Sequence, residues 1–199
     1  MTQLQSICVY CGSGFGTDPA FVEAARRLGR DMARAGVSLV YGGGNVGLMG
    51  TIARAVLDEG GHVTGIIPEF LKARELMIAD AQELVVVPDM HTRKRLMFEK
   101  ADAFVALPGG VGTLEELIEQ MTWAQLGQHN KPILLANVAD FWRPLLDLLV
   151  HMRDAGFIRT GFEVNYLVAD TVEEVVPMLQ DALASRETAA GAVLAEDRL

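Results

Sequence analysis

Three stretches of this chain combine glycines, cations and carboxylates in patterns suited to a phosphorylated ligand. The first is PGGVGTLEE, residues 108–116. Glycine permits close backbone approach. A glycine-rich turn entering a helix also offers an anion free N–H groups and the positive end of the helix dipole. No Lys-Ser/Thr pair ends the loop, so it is not a Walker A motif. Two carboxylates, Glu115 and Glu116, follow within one helical turn. Thr113 to Glu116 also fits the capping box S/T-x-x-E, with Thr113 as N-cap and Glu116 folding back. On spacing alone both readings of Glu116 stand; Glu115 lies one step around and faces solvent or a partner.

The second stretch is YGGGNVGLMG, residues 41–50, in which Gly42, Gly44 and Gly47 spell G-x-G-x-x-G. A dinucleotide site also wants an acidic residue at the end of the next strand. Glu69 falls late for that role and follows a proline, so the loop reads as backbone lining for a nucleotide rather than an NAD site. The third is PDMHTRKRLMFEK, residues 88–100. With Asp89 as helix cap, Arg93, Lys94 and Arg95 fall in or just past the first turn. Cations there oppose the macrodipole at about 0.3–1 kcal/mol each, and such breaches of a local rule concentrate at functional sites. Successive helical residues diverge by about 100°, so Arg93 and Lys94 can border a cleft while Arg95 points away.

Negative charge beside a phosphate cradle makes sense if the chemistry happens on a sugar. Glycosidic cleavage builds positive charge on the ring, which a carboxylate stabilises while it positions or activates water. At about 4 Å and an effective dielectric near 20, that charge is worth roughly 4 kcal/mol, on the order of a thousandfold in rate.

Elements able to position these groups are readable from the pattern. Short apolar runs (6–10, 38–41, 62–67, 83–87, 103–107, 132–135 and 166–168) alternate with helical stretches near 19–35, 46–59, 89–100, 113–127, 140–153 and 171–185. Continuous apolar strands alternating with helices imply a parallel sheet covered on both faces. The expected fold is a single doubly wound, Rossmann-like α/β domain with a mostly parallel sheet of about six or seven strands. Ligands of such sheets bind beyond the carboxyl ends of the strands. CGSGFG, GGGNVGLMG, Pro68-Glu69, PDMHTRKR and PGGVGTLEE each follow a strand. Ser13, Gly43 and Gly44 join the candidate site on this ground.

The chain has 199 residues, half of them apolar, and a formal net charge of -9. That length suits one domain with a real core, expected over residues 1–185, with an Ala-rich tail at 186–199 expected to fray. An acidic chain is a poor nucleic-acid binder, but a site can be locally positive and take a small anion. There is no stretch of the roughly 20 apolar residues a membrane span needs. The opening MTQLQSICVYCGSG does not read as a secretory signal, and a cytoplasmic protein is expected. Cys8 and Cys11 form C-x-x-C without a second Cys/His pair, which argues against zinc. Cys8 falls in a strand-like run and reads as core packing.

PGGVGTLEE, with MHTRK upstream and TWAQLG downstream, resembles the Lonely Guy (LOG) family of cytokinin riboside 5′-monophosphate phosphoribohydrolases, whose members also carry the label lysine decarboxylase. The similarity runs from about Gln5 to Asp181. It implies hydrolysis of the N-glycosidic bond of a nucleoside 5′-monophosphate (a cytokinin riboside monophosphate, AMP or both), with no cofactor, in a homodimer. The family's catalytic pair falls on Arg93 and Glu116. Its substrate-lining positions fall on Lys94, Gly109, Gly110, Val111, Gly112, Thr113, Leu114, Glu115 and Thr122, and less securely on Glu75. Replacing either Glu116 by Gln or Arg93 by Ala is expected to remove most turnover and leave the fold intact.

Two other readings compete. A pyridoxal-phosphate decarboxylase needs a lysine to hold the cofactor, and Lys72, Lys94, Lys100 and Lys131 lie in no such setting. A non-catalytic nucleotide binder or carrier would use the glycine loops equally well, but has little use for Glu116 with Arg93.

Overall fold

The computed structural model describes residues 3–72, 82–159, 161 and 163–196, with side chains up to Arg186. Glu75 lies outside the described residues. Among them the chain runs β1 (Ser6–Tyr10), α1 (Pro19–Arg34), β2 (Ser38–Tyr41), α2 (Gly47–Asp58), β3 (Val63–Pro68), α3 (Glu69–Lys72), β4 (Glu83–Val87), α4 (Met90–Glu99), β5 (Ala103–Ala106), α5 (Val111–Gln125), β6 (Ile133–Ala136), α6 (Arg143–Asp154), β7 (Leu167–Ala169) and α7 (Val175–Glu196).

The strands form one seven-stranded sheet in the order β4-β3-β2-β1-β5-β6-β7. Every pairing is parallel, so the sheet is parallel throughout rather than mostly. Strands such as AFVA and ILLA are apolar along their whole length because both faces are covered. Successive side chains of β1 point to opposite faces. Ile7 and Val9 enter one core with Leu28 of α1, Ile52 of α2 and Leu179 of α7. Cys8 and Tyr10 enter the other with Met97 of α4, Leu117 of α5 and Trp142. Cys8 and Cys11 are free, buried thiols, and burial pushes both pKa values up. That is the expected packing role.

Helix boundaries follow local chemistry. Asp18 caps α1 by accepting from the Ala20 amide at 2.8 Å, and Pro19 occupies the first turn, where its missing N–H costs nothing. The last helix runs on to Glu196, beyond the end near 185 that periodicity suggested. No helix among the described residues is long and apolar enough to cross a membrane.

From β1 the sheet grows one way through β2, β3 and β4, then the chain returns to place β5 on the other side of β1. The switch point therefore lies between β1 and β5, where the loops after these strands part to leave a crevice.

Candidate active site

Gly12 stitches the loops of this crevice together. Its amide donates to the Pro108 carbonyl at 3.1 Å, and its own carbonyl accepts from the Leu48 amide at 3.0 Å. The loop after β2 also packs against the one after β1: at Gly47, with φ +64°, a Cβ would collide with the Ser13 backbone. The result is a cleft of about 250 Å³ lined by the 12–14 backbone, Gly109 and Gly110, with Phe15, Phe21 and Phe141 as its apolar wall.

Helix α5 begins one residue after Gly110, which is extended at the N-cap and gives no side-chain cap. The Thr113 capping box is thus overturned: Thr113 is already the third helical residue, and it is buried. The Leu114 amide bonds the Gly110 carbonyl at 3.0 Å. The Val111, Gly112 and Thr113 amides have no acceptor within the helix. This leaves the N-terminal donors of α5 to an anion and frees Glu116, one turn further along, from any capping duty.

Asp89 caps α4 as expected, accepting from the Thr92 amide at 2.8 Å. Arg93 then turns into the protein. Its Nε donates to the Ile66 carbonyl and its Nη2 to the Gly42 carbonyl, both at 3.1 Å. The remaining Nη1 stands 4.0 Å from Glu116 Oε1 and 3.7 Å from Met90 Sδ. Gly42 is obligatory, because a Cβ there would overlap the guanidinium. Met49 also borders this position, its sulfur 3.3 Å from where that Cβ would sit, whereas Met97 lies in the core.

The Glu116 side chain is 13% exposed. Its pKa is raised from 4.5 to about 7, chiefly by burial. Arg93 and Lys94 pull the other way, and the neighbouring Glu115 and Glu119 push it up further. A carboxyl poised near neutrality in this way suits proton or charge chemistry at physiological pH.

Lys94 lies between two carboxylates of α5, 2.7 Å from Glu115 Oε1 and 2.8 Å from Glu119 Oε1. Burial opposes its charge, but these two bonds prevail and its pKa rises. Glu119 was missed in the sequence. Its spacing of four from Glu115 puts both on one helical face, a signal that was available. Arg95 points outward to Glu99 at 3.7 Å, as expected.

The structure thus gathers Arg93, Lys94, Glu115 and Glu116 and sets the 109–113 loop, Ser13, Gly43 and Gly44 on the same rim. Thr122 is not brought there within this chain: it is exposed, and its hydroxyl donates back to the Ile118 carbonyl at 2.7 Å. The side chains of Val111 and Leu114 face outward. Phe98 and Trp123 meet edge to face, 5.5 Å between centroids, and Phe98 packs on the core below α5. A larger cleft of about 440 Å³ lies across α1 and α2, away from the strand ends. Its Arg26 and Arg30 are paired with Glu23, its Arg54 donates to the Asn45 carbonyl, and Asp58 and Glu59 share the lining.

Fold and site together define a Rossmann-like α/β protein with a glycine-lined crevice at its switch point and a buried arginine–glutamate pair beside it. A family model described as "Possible lysine decarboxylase" matches residues 49–179. Cytokinin riboside 5′-monophosphate phosphoribohydrolase LOG4 of Arabidopsis thaliana is 45% identical over 184 residues, covering 92% of this chain and 86% of that protein. The cytokinin riboside 5′-monophosphate phosphoribohydrolase of Rhodococcoides fascians is also 45% identical, covering 88% and 89%. The chain belongs to this family, the LOG family. Among solved structures, the Moco carrier protein from Chlamydomonas reinhardtii matches with a TM-score of 0.69 at 20% identity, over 92% of this chain and 99% of that one. At that identity the likeness speaks for the fold alone.

Proposed function

We propose that the protein hydrolyses the N-glycosidic bond of a nucleoside 5′-monophosphate, a cytokinin riboside monophosphate or AMP, to free base and ribose 5-phosphate. The observation that carries this reading is the buried Glu116, held 4.0 Å from Arg93 one turn beyond the free amides of α5. The 5′-phosphate rests on the Val111, Gly112 and Thr113 amides and the Thr113 hydroxyl. Glu116, as carboxylate, faces the ribose and stabilises the positive charge that develops as the C1′–N bond breaks. Water supplies oxygen to C1′ and its proton balance passes to the departing base. Arg93 fixes the orientation of Glu116, and Lys94 keeps the three-carboxylate face of α5 from excess negative charge. The curated relatives, named for this reaction, support the same assignment.

The lysine settings argue against pyridoxal chemistry. Lys94 is clamped by carboxylates, Lys72 and Lys100 pair with Glu69 and Glu83, and Lys131 donates to the Phe98 carbonyl at 2.6 Å. Product analysis after incubation with AMP and with isopentenyladenosine monophosphate tests the proposal. Free base from both or either establishes the activity, and the faster substrate identifies the preferred base. Tight binding with no base released would transfer the protein to the carriers.

The assembly we assign is a homodimer. Val111 is 84% exposed, Ile118 and Leu126 continue an apolar stripe along α5, and α6 with its following turn exposes Leu148, Val150, Met152 and Phe157. No residue of α6 is fully buried. So much uncovered apolar surface in one layer is the mark of an interface, and Val111 puts it beside the phosphate cradle. Sedimentation velocity should give twice the 21.6 kDa chain mass; a monomer at every concentration would refute this.

A further inference from the structure

At the opposite rim, where the strands begin, another cleft of about 270 Å³ opens between the starts of β6 and β7 and the middle of α7. Lys131, Ile133, Asn165, Tyr166, Ala182 and Arg186 contribute to its lining. Its polar chemistry is one-sided: an ammonium, a guanidinium, a phenol and a carboxamide, with no carboxylate. Elsewhere in this acidic chain most lysines and arginines lie within 4.0 Å of a carboxylate. Neither Lys131 nor Arg186 does among the described residues. Lys131 has only the Phe98 carbonyl at 2.6 Å and the Phe98 ring, 4.1 Å from its nitrogen.

Both cations are partly withdrawn from water. Burial lowers the pKa of both, against a longer-range pull from Asp102 and Glu99 on Lys131. The adjoining His129 is held below its usual pKa by burial, with the Lys131 and Arg186 charges adding to the effect. Cations half withdrawn from water, with no carboxylate in the lining, are unfavourable while the cleft is empty, and a bound anion relieves them.

We propose that this cleft is a second ligand site, binding a small phosphoryl anion no larger than a sugar phosphate, independent of the glycine loops. Arg186 supplies a planar fork suited to two phosphoryl oxygens. Lys131 adds a point charge, and Tyr166 and Asn165 supply neutral donors. The volume sits just below that of common small-molecule sites, which excludes a whole dinucleotide.

The test is amide chemical-shift mapping of the full chain, titrated at constant ionic strength with inorganic phosphate and, separately, with ribose 5-phosphate. Amides of Ile133, Leu167 and Ala182 should move, apart from any response of Val111 to Thr113 at the cradle. Arg186→Gln and Lys131→Gln should each weaken the first response by about tenfold or more and leave the cradle response unchanged. Saturation by inorganic phosphate at the same concentration as ribose 5-phosphate assigns phosphate itself as ligand; a clear preference for the sugar phosphate assigns the ester. Silent amides around the cleft, or equal shifts in wild type and Arg186→Gln, would overturn the proposal. A silent cradle would instead count against the active-site reading.

Discussion

Glu116→Gln should lose turnover by about a thousandfold and at the same time make the protein harder to unfold above pH 7. The first effect follows from removing the charge that faces the ribose. The second follows from burial. With the folded pKa at about 7 against a model value of 4.5, the native state prefers the protonated acid. The contribution of Glu116 to stability is therefore fully present below about pH 4.5 and is lost as pH rises through 7. Above that the ionised form costs on the order of 3 kcal/mol, a cost glutamine does not carry. Thermal melts of both proteins should coincide near pH 4 and separate progressively towards pH 8, the variant being higher. The wild-type pH–rate profile should fall on the acid side with a midpoint near 7, because only the ionised carboxylate stabilises an oxocarbenium. Wild-type turnover in the variant would remove Glu116 from the chemistry; identical melts at pH 8 would contradict the burial argument.

Arg93 should behave in the opposite sense on stability. Arg93→Ala is expected to cost both activity, by about a hundredfold or more, and stability, because the Ile66 and Gly42 carbonyls lose their buried donors. Each orphaned group costs about 1–3 kcal/mol. The sequence-based expectation that this substitution spares the fold is therefore revised. Arg93→Lys separates the two roles. It keeps a positive charge near Glu116 but cannot fork to both carbonyls, so it should recover part of the melting temperature and little of the rate. Loss of the nearest cation should also move the acid limb of the remaining activity to higher pH. An unchanged limb in Arg93→Ala would mean that Arg93 does not act through Glu116.

Much of this was legible because parallel strands buried on both faces must be continuously apolar, and AFVA and ILLA announce themselves. Strand ends then located the rim, since glycines and charges collect where the backbone must approach a ligand. The capping-box alternative at Thr113 stayed open in the sequence because a capping box and an anion-binding helix start share the same residues; the extended Gly110 at the N-cap decides between them. Glu119 was overlooked because attention stopped at the motif's last glutamate. Thr122 was placed by resemblance, and its position on the outer side of α5 is a matter of helical phase that no motif encodes. The anion cleft at the far rim was invisible in sequence, as Lys131 and Arg186 come from segments far apart in the chain.

Gly12 holds a further implication, for how such a protein can diversify. A single residue joins the loops after β1, β2 and β5, its N–H bonding the Pro108 carbonyl and its C=O the Leu48 amide. An insertion in any of the three would therefore be felt in the other two, and loop length is a poor variable for acquiring a new ligand. Side chains that wall the cleft around this shared node, such as Phe15, Phe21 of α1 and Phe141 after β6, can change without moving it. Drift in ligand preference across descendants of this chain is thus channelled into the identity of wall residues, while the lengths of the loops stay frozen.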